Sequence, residues 1–387
     1  MRTRRMVALA VGAVLLLLAA ACSDNDGGSS VAADESESGE PGTGGTAVGF
    51  IMVGPKDDFG YNQAVYESAQ AVGEAYPDLE VLTAENVPET DEAARVMQGM
   101  IDKGAKIIFA TSYGHLDAAL SVAEENPDVV VVHQGGTVEG EMPPNFGTYF
   151  GTVYEPVYLA GILAGEATET DKLGFVYAFP IPQTIANINA FQLGAASVNP
   201  DAETYVVNTS SWCDPAAQAQ AASSLLGQGV DVLTQHQDCT ATITKAAEDA
   251  GAYVIGYHAD ASELAPNGWL GGSEWDWDAL YIDIVDVAQA GDFTGSIYNA
   301  NYRVGYQDGD NPFVQSEYGP SVSDETKAEV AAALEEISTD GSPFTGPIMA
   351  NDGTTVLFED GVTPDYTEAE GMNTMFVEGV VGEIPES

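Results

Sequence analysis

The chain has 387 residues, a length that suggests two domains, and it carries 60 acidic against 11 basic residues for a formal charge of −49. Such an acidic surface excludes nucleic acid and anionic membrane surfaces as binding partners, because both are negatively charged themselves. The acidity reflects the surface and its solvent, and it indicates nothing about mechanism.

Residues 1–21 are predicted to be a lipoprotein signal peptide. Arginines at the start precede an apolar run over residues 6–21, and small residues lead to Cys22, where lipoprotein signals carry the acylated cysteine. The run is short for a membrane span, which disfavours an uncleaved signal anchor. We expect a lipid on Cys22 to hold the protein on the extracytoplasmic face of the cell membrane. Residues 22–46, rich in Gly, Ser, Asp and Glu, are predicted to be a disordered tether.

From residue 47 onward, short apolar runs alternate with helical patterns. A first series has strands at residues 48–53, 80–83, 106–110 and 129–133, with helices at residues 63–75, 91–103 and 116–126. A second series has strands at residues 173–178, 205–207, 230–233 and 253–255, with helices at residues 183–197, 216–227 and 241–250. Such alternation predicts the α/β class, with parallel sheets covered by helices on both faces.

The two series predict two Rossmann-like lobes joined by a hinge. We assign residues 47–165 to the first lobe and residues 166–275 to the second. A helix at residues 154–167 joins the two series. Residues 276–387 are expected to cross the hinge and complete both lobes, with helices at 276–289 and 323–337, a strand at 297–306 and a hairpin at 344–358. Two unrelated Rossmann-like domains of an enzyme are the alternative.

Polar and aromatic clusters follow the strands of the second series. Trp212, His236, Asp238 and Asp260 each come just after one of these strands. Because ligands of open parallel sheets bind outside the carboxyl ends of the strands, these residues are predicted to form one wall of a small-molecule site. Asp214 and Asp238 could instead cap the helices that follow them, and Trp212 could be a core residue.

Aromatic side chains after other strands extend this predicted site. Phe59 and Tyr61 follow the first strand, Tyr113 the third, and Trp275 and Trp277 a later apolar run. Planar side chains stack on a planar ligand with little loss of conformational entropy. Three further residues could hydrogen-bond to the edge of such a ligand: Asp58, Asn62 and Gln134. The pattern favours a flat heterocycle with polar edges, although sugars also stack on aromatic rings.

Besides Cys22, the chain has two cysteines, Cys213 and Cys239. In an exported protein such a pair suggests a disulfide, and both lie just past strand ends at the same edge of the sheet. In the usual strand order another strand separates them, so the loops would have to reach across it. The alternatives are two free thiols, or a zinc site with His236, which no short-spaced ligand pattern supports.

Motifs of several large enzyme classes are absent from the sequence. It has no phosphate-binding loop of the Gly-Lys-Ser type, no Gly-x-Ser-x-Gly and no His-Glu-x-x-His. We therefore expect a binding protein rather than an enzyme, with no cofactor and no metal.

Ordered segments along the chain resemble the basic membrane protein (BMP) family, the lipid-anchored substrate-binding components of ABC transporters. The Phe-Pro-Ile-Pro stretch at residues 179–182 and the Trp-x-Asp-Pro motif at residues 212–215 resemble the purine-binding branch of that family. Other segments that carry the resemblance are residues 58–63, 158–161, 189–191, 194–195, 197–200, 235–238, 344–347 and 372–385.

The resemblance implies a type-I periplasmic-binding fold that captures a purine nucleobase or nucleoside, with adenine favoured, and passes it as a monomer to an ABC permease. The family's aromatic–Asn pair falls on Tyr61 and Asn62, its acidic residue on Asp260, and the branch's tryptophan on Trp212. Gln183 stands where the branch usually has Glu, a departure that bears on the ligand more than on the fold.

Three other interpretations share parts of this pattern. A sensor lipoprotein that reports to a membrane signalling partner would have the same fold and site. A receptor for a sugar or another heterocycle would use the same stacking side chains. A nucleoside hydrolase would differ by releasing free base. Few cations lie near the predicted site, Lys56 and Lys172 being the nearest in sequence, so a neutral ligand is favoured over a nucleotide.

Overall fold

Two mainly parallel sheets, one in each lobe, organise the chain. The computed structural model describes residues 39–309, 311–339, 341–371 and 374–385. The elements of the first lobe are β1 (Ala47–Ile51), α1 (Tyr61–Ala75), β2 (Glu80–Ala84), α2 (Glu92–Ile101), β3 (Ala105–Ala110), α3 (Leu116–Glu125), β4 (Val130–Gln134), β5 (Phe146–Gly151), α8 (Asp278–Gln289) and β11 (Asn301–Val304). Those of the second lobe are α4 (Tyr154–Ala167), β6 (Lys172–Tyr177), α5 (Pro182–Val198), β7 (Glu203–Asn208), α6 (Pro215–Gly227), β8 (Val232–His236), α7 (Ala241–Ala250), β9 (Tyr253–His258), β10 (Trp269–Trp275), β12 (Phe313–Gln315), α9 (Asp324–Thr339), β13 (Ile348–Met349), β14 (Val356–Phe358), α10 (Tyr366–Gly371) and β15 (Val380–Val381).

The sheet of the first lobe has the strand order β11-β5-β4-β3-β1-β2, and every neighbouring pair is parallel. All five residues of β4 are buried, as its run of three valines predicts for a strand covered on both faces. The sequence does not predict β5, because glycines interrupt its aromatic residues. One of these glycines, Gly147, allows the chain to pass closely, since a Cβ there would lie 1.8 Å from the carbonyl oxygen of Tyr298.

The sheet of the second lobe has the order β12-β10-β9-β8-β6-β7-β15. The strand β12 is antiparallel to β10, and the other neighbouring pairs are parallel. The α/β class with parallel sheets is therefore confirmed. As expected, β6 separates β7 from β8. The strand β9 runs to His258, three residues beyond its predicted end at residue 255. The predicted hairpin at residues 344–358 forms between β13 and β14.

The helix α4 packs in the second lobe, although the sequence-based boundary at residue 165 assigned most of it to the first lobe. Eleven of its fourteen residues are buried, because it lies between α5 and the sheet rather than on the surface. Glycines bring α4 and α5 together. A Cβ on Gly161 would lie 2.1 Å from the carbonyl oxygen of Phe191, and one on Gly194 would lie 2.0 Å from that of Tyr158. The segment after residue 276 contributes α8 and β11 to the first lobe and the remaining elements to the second.

The end of the predicted tether is ordered against the first lobe. The amide of Gly42 donates to the carbonyl oxygen of Asp128, and the amide of Thr46 donates to that of Gly104. Residues 39–46 therefore differ from the expectation of disorder over 22–46, because their backbone finds partners on the lobe. The signal peptide, Cys22 and the rest of the tether lie outside the described residues. No helix within the described part of the chain is long and apolar enough to cross a membrane.

Candidate ligand-binding site

A cavity lies between the two lobes, at the carboxyl ends of the strands in both sheets. Its free volume is about 30 Å³, which is room for one or two water molecules. The lobes are therefore closed on each other, and a larger ligand requires them to part. Thirteen residues line the cavity: Val53, Tyr61, Ser112, Tyr113, Gln134, Gly135, Phe150, Ile181, Gln183, Trp212, His236, Asp238 and His258.

The indole of Trp212 lies at the cavity, half-buried, and is not a core residue. Its ring meets Phe179 edge to face, with 5.1 Å between the ring centroids. Its Nε1–H donates to both carboxylate oxygens of Glu89, each at 3.3 Å, from the second lobe to the first. Glu89 is held in place because it also accepts from the hydroxyl of Ser112 at 2.7 Å and from the amide of Gly114 at 2.9 Å. Trp212 thus both lines the cavity and bridges the lobes.

Cys213 and Cys239 form a disulfide, with 5.4 Å between their Cα atoms. The loops after β7 and β8 reach each other across the end of β6, so the disulfide is the one of the alternatives left open by the sequence that the structure shows. Since both sulfurs are used in this bond, the zinc alternative is wrong. No group of three or more His, Cys, Asp or Glu residues that could hold a metal ion occurs among the described residues.

A buried amide joins two carboxyl groups across the lobe boundary. The Nδ2 of Asn62 donates to Oδ2 of Asp58 at 2.7 Å and to Oδ2 of Asp238 at 2.9 Å. Asp58 also accepts from the backbone amides of Gly60 and Gln63, at 2.9 and 3.0 Å. Asp58 and Asn62 therefore organise the loop before α1 and the closed contact, and only Asp238 of the three lines the cavity.

The surroundings of the Asp238 carboxyl favour its protonated form. Burial raises its pKa well above the usual value of 3.8, and the neighbouring carboxyls of Asp58 and Glu89 raise it further. The hydrogen bond from Asn62 opposes this shift without cancelling it. A neutral carboxylic acid can both donate and accept a hydrogen bond, so Asp238 offers a ligand both functions at one position.

The side chain of Gln134 is fully buried and half-satisfied. Its Oε1 accepts from the hydroxyls of Tyr149 and Tyr281, each at 3.0 Å, while its Nε2 has no partner among the residues that the structure describes. Because the two tyrosines fix the oxygen, the orientation of the amide is set, and Nε2 is the unused end. An unpartnered buried donor is costly, so Gln134 indicates a group that arrives with the ligand.

Two buried neutral imidazoles complete the polar wall. Burial lowers the pKa of His236 to about 3, and burial lowers that of His258 well below its usual value, with His236 adding to the shift. The indole Nε1–H of Trp275 donates to Nδ1 of His258 at 2.8 Å. An indole nitrogen only donates, so Nδ1 of His258 is an acceptor and its proton lies on Nε2. His258 can therefore donate to a ligand through Nε2.

The structure brings six of the predicted ligand-binding residues to the cavity and leaves six away from its wall. Tyr61, Tyr113, Gln134, Trp212, His236 and Asp238 line it. Phe59 packs against the core of the second lobe instead, and Trp277 is buried against Tyr281, with 6.1 Å between the ring centroids. Asp260 is exposed and accepts from the backbone amide of Ser262, because β9 ends at His258 and Asp260 lies past the cavity. Trp275 does not line the cavity but hydrogen-bonds to His258, which does. Asp58 and Asn62 do not line it either; Asn62 hydrogen-bonds to both Asp58 and Asp238.

The remaining lining residues were not predicted as ligand contacts. His258 lies at the end of β9. Gln183 stands where the related branch usually has Glu, and its Nε2 donates to the carbonyl oxygen of Gly135 at 2.5 Å. An ionised glutamate at position 183 could not donate this hydrogen bond. Asp214 caps α6 through the amides of Ala216 and Ala217, the capping role that the sequence analysis allowed for it.

Comparisons with known proteins agree with this architecture. Residues 46–306 match the profile of the Bmp family, described as ABC transporter substrate-binding protein PnrA-like. A purine-binding protein of Brucella abortus is 34% identical over 347 residues, which cover 88% of this chain and 94% of that protein. A Haloferax volcanii protein named as an ABC transporter glucose-binding protein is 33% identical over 354 residues, covering 91% of this chain and 85% of that one.

Solved structures show the same fold. An ABC transporter solute-binding protein of Aeropyrum pernix K1 has a TM-score of 0.66 at 16% identity, covering 86% of this chain and 100% of that one. Another, from Conexibacter woesei, has a TM-score of 0.62 at 22% identity, covering 76% and 96%. The fold is that of periplasmic binding proteins, and ABC substrate-binding proteins bind a small molecule and a membrane permease. The chain belongs to the Bmp family of PnrA-like ABC transporter substrate-binding proteins.

Proposed function

We propose that this protein captures a neutral purine base or nucleoside, adenine-like, in the cavity between its lobes and delivers it to an ABC permease. The observation that carries the proposal is the unpartnered Nε2 of the buried Gln134, set among aromatic rings. A donor fixed in a flat aromatic site suits the ring nitrogen of a planar heterocycle. The Brucella abortus relative, named as purine-binding, supports the same ligand class.

The faces of a purine would contact the aromatic part of the wall. Six of the thirteen lining residues carry aromatic rings: Tyr61, Tyr113, Phe150, Trp212, His236 and His258. Stacking of a base on an aromatic side chain contributes on the order of 1–3 kcal/mol. Trp212 has the largest of these rings, and its half-buried position leaves part of its surface available to a ligand.

The edge of a purine would meet a small set of fixed polar groups. Gln134 and His258 each offer an N–H, and the protonated Asp238 offers both a donor and an acceptor. Adenine presents ring nitrogens that accept and an exocyclic amine that donates, which complements this set. Each such hydrogen bond contributes about 1 kcal/mol, so three of them with one stack supply about 4–6 kcal/mol, which corresponds to a dissociation constant between about 1 mM and about 40 μM before the gain from enclosing the ligand between the lobes.

The charge of the wall favours a neutral ligand. The lining residues include no lysine or arginine, and burial raises the pKa of their one carboxyl group, which favours its neutral form. A phosphate placed in this cavity would lose its hydration without gaining a cation, which costs several kcal/mol. We therefore expect adenosine monophosphate to bind more weakly than adenine.

Closure of the lobes would trap the ligand, since several contacts that join them lie next to the cavity. Asn62 reaches Asp238, Glu89 accepts from Trp212, and Gln183 reaches Gly135. With a purine between them the lobes would close less far than in this structure, and that ligand-bound form is favoured when ligand contacts add to the lobe contacts that remain, as expected of a hinged receptor. Binding without turnover is the role that such a geometry serves.

A sugar is the second candidate, favoured by the Haloferax volcanii relative named as a glucose-binding protein. Aromatic walls also suit sugar faces. A hexose, however, carries five hydroxyl groups that each need a partner, whereas the donors and acceptors of this wall are few. The purine proposal is therefore preferred.

A binding panel separates these candidates. We expect adenine, and to a lesser extent adenosine, to raise the melting temperature of the purified protein and to titrate calorimetrically with a dissociation constant in the micromolar range or below. A shift with glucose and none with any purine would overturn the proposal. Release of free base from adenosine over hours would instead indicate a hydrolase.

We also propose that the protein is anchored by a lipid on Cys22 and acts as a monomer. Mass spectrometry of protein extracted from membranes would detect a diacylglyceryl group on that cysteine. Cys22→Ser is expected to move the protein from the membrane fraction to the medium. An unchanged membrane fraction would contradict the anchor.

A further inference from the structure

We propose that the Cys213–Cys239 disulfide positions the ligand-facing residues of the second lobe, so that ligand affinity depends on this bond. Trp212 immediately precedes Cys213, and Asp238 immediately precedes Cys239. Both neighbours line the cavity. The inference rests on the proposed function only in taking Trp212 and Asp238 to face the ligand.

The sheet alone does not set the distance between these two residues. They lie on the loops after β7 and β8, and β6 separates those strands, so no ladder of hydrogen bonds joins them. The spacing depends on contacts between the loops themselves. The amide of Asp238 donates to the carbonyl oxygen of Trp212 at 2.9 Å, and Nε2 of Gln237 donates to the hydroxyl of Thr209 at 2.7 Å. The disulfide is the covalent member of this set.

Both loops contain backbone that needs to be held. Ser210 has φ of 53° and Cys239 has φ of 55°. Residues with a Cβ rarely adopt this left-handed region, and they stay there when surrounding contacts determine the conformation. Because Cys239 is itself one of these residues, the disulfide acts at the point where the loop would otherwise relax. Relaxation there would move the carboxyl of Asp238 first.

The two positioned residues also reach the other lobe. Trp212 donates to Glu89, and Asp238 accepts from Asn62. Loosening the loops would therefore weaken ligand contacts and lobe closure together. Loss of the disulfide should affect binding beyond any loss of stability, since ordering side chains during binding lowers affinity.

The test is a double variant, Cys213→Ser with Cys239→Ser, in the full-length chain. We expect adenine to bind roughly tenfold more weakly or worse by calorimetry at a temperature where the variant is folded. Leu225→Ala is the matched control, because Leu225 lies on the core-facing side of α6 and does not line the cavity. This control should lower the melting temperature and leave the affinity for adenine unchanged.

A second readout needs no ligand. Of the four tryptophans, Trp212 is half-buried, whereas Trp269, Trp275 and Trp277 are buried. Acrylamide quenching therefore reports mainly on Trp212, with Trp212→Phe as the background. We expect stronger quenching in the double-serine variant and not in Leu225→Ala.

Unchanged quenching would overturn the inference, and so would an affinity for adenine within about twofold of the wild type. In either case the disulfide would only stabilise the fold. If adenine binds neither the wild type nor the variant, the purine proposal fails, and quenching alone then decides the positioning role.

Discussion

Replacing Trp212 with Ala tests the aromatic wall at its largest ring. The change removes a stack worth on the order of 1–3 kcal/mol. It also removes the hydrogen bonds to Glu89 that help close the lobes. Those hydrogen bonds are shared and long at 3.3 Å, so they add about 0.5–1 kcal/mol. The sum is about 1.5–4 kcal/mol, a loss of roughly 10- to 900-fold in affinity.

The two parts of this loss can be separated by calorimetric titration with adenine at pH 7. Trp212→Phe keeps a stacking face and loses the N–H donor, so we expect it to lose roughly fivefold or less. Trp269→Phe is the matched control, because Trp269 is buried in the core of the second lobe and does not line the cavity. If Trp212→Ala bound adenine within about twofold of the wild type, the stacking argument would be refuted.

Replacing Gln134 with Leu removes the unpartnered donor, and we expect adenine affinity to fall by about 1–2 kcal/mol in the same titration. The raised pKa of Asp238 means that its contribution to the free energy of unfolding is full below its usual value of 3.8 and is lost as the pH rises through the raised value. Asp238→Asn should remove that loss in urea unfolding between pH 5 and 9. The contribution of His236 to the free energy of unfolding depends on pH in the opposite direction. Burial lowers the pKa of His236 to about 3 in the folded protein, so this contribution is full above about pH 6.5 and is lost as the pH falls toward 3. Trp275→Phe removes the donor that fixes the tautomer of His258, so ¹⁵N NMR should show mixed tautomers, with adenine affinity several-fold weaker.

Each of these expectations has a contrary outcome. Wild-type affinity in Gln134→Leu would show that the amide does not contact the ligand. The same pH dependence in Asp238→Asn as in the wild type would show that this carboxyl is ionised in the folded protein. A single Nε2–H tautomer of His258 in Trp275→Phe would show that the indole does not set it.

The sequence predicts most of the architecture because parallel strands covered by helices have a strong apolar pattern. The runs in β4 and β8 are buried along their length and could be recognised directly. The strands β5 and β10 could not, because glycines at Gly147, Gly271 and Gly272 break the pattern where backbones approach closely. Their roles depend on neighbours that are distant in sequence.

The same limit explains the differences at the site. The predicted end of β9 was three residues short, so Asp260 was chosen as the ligand contact, whereas the strand ends at His258, which lines the cavity. Trp275 and Trp277 were placed on loops because β10 was not recognised, although Trp275 ends that strand. Glu89 follows β2 without a local motif, and its link to Trp212 arises only when the lobes meet. Contacts between lobes carry no signal in local sequence.

The most direct test of the central claim is a crystal structure of the protein grown with adenine. We expect the purine ring between the lobes, in van der Waals contact with the indole of Trp212 and accepting a hydrogen bond from Nε2 of Gln134. The lobes should stand further apart than the present cavity of about 30 Å³ allows. Adenine bound elsewhere, or a closed cavity that excludes it at saturating concentration, would contradict the account.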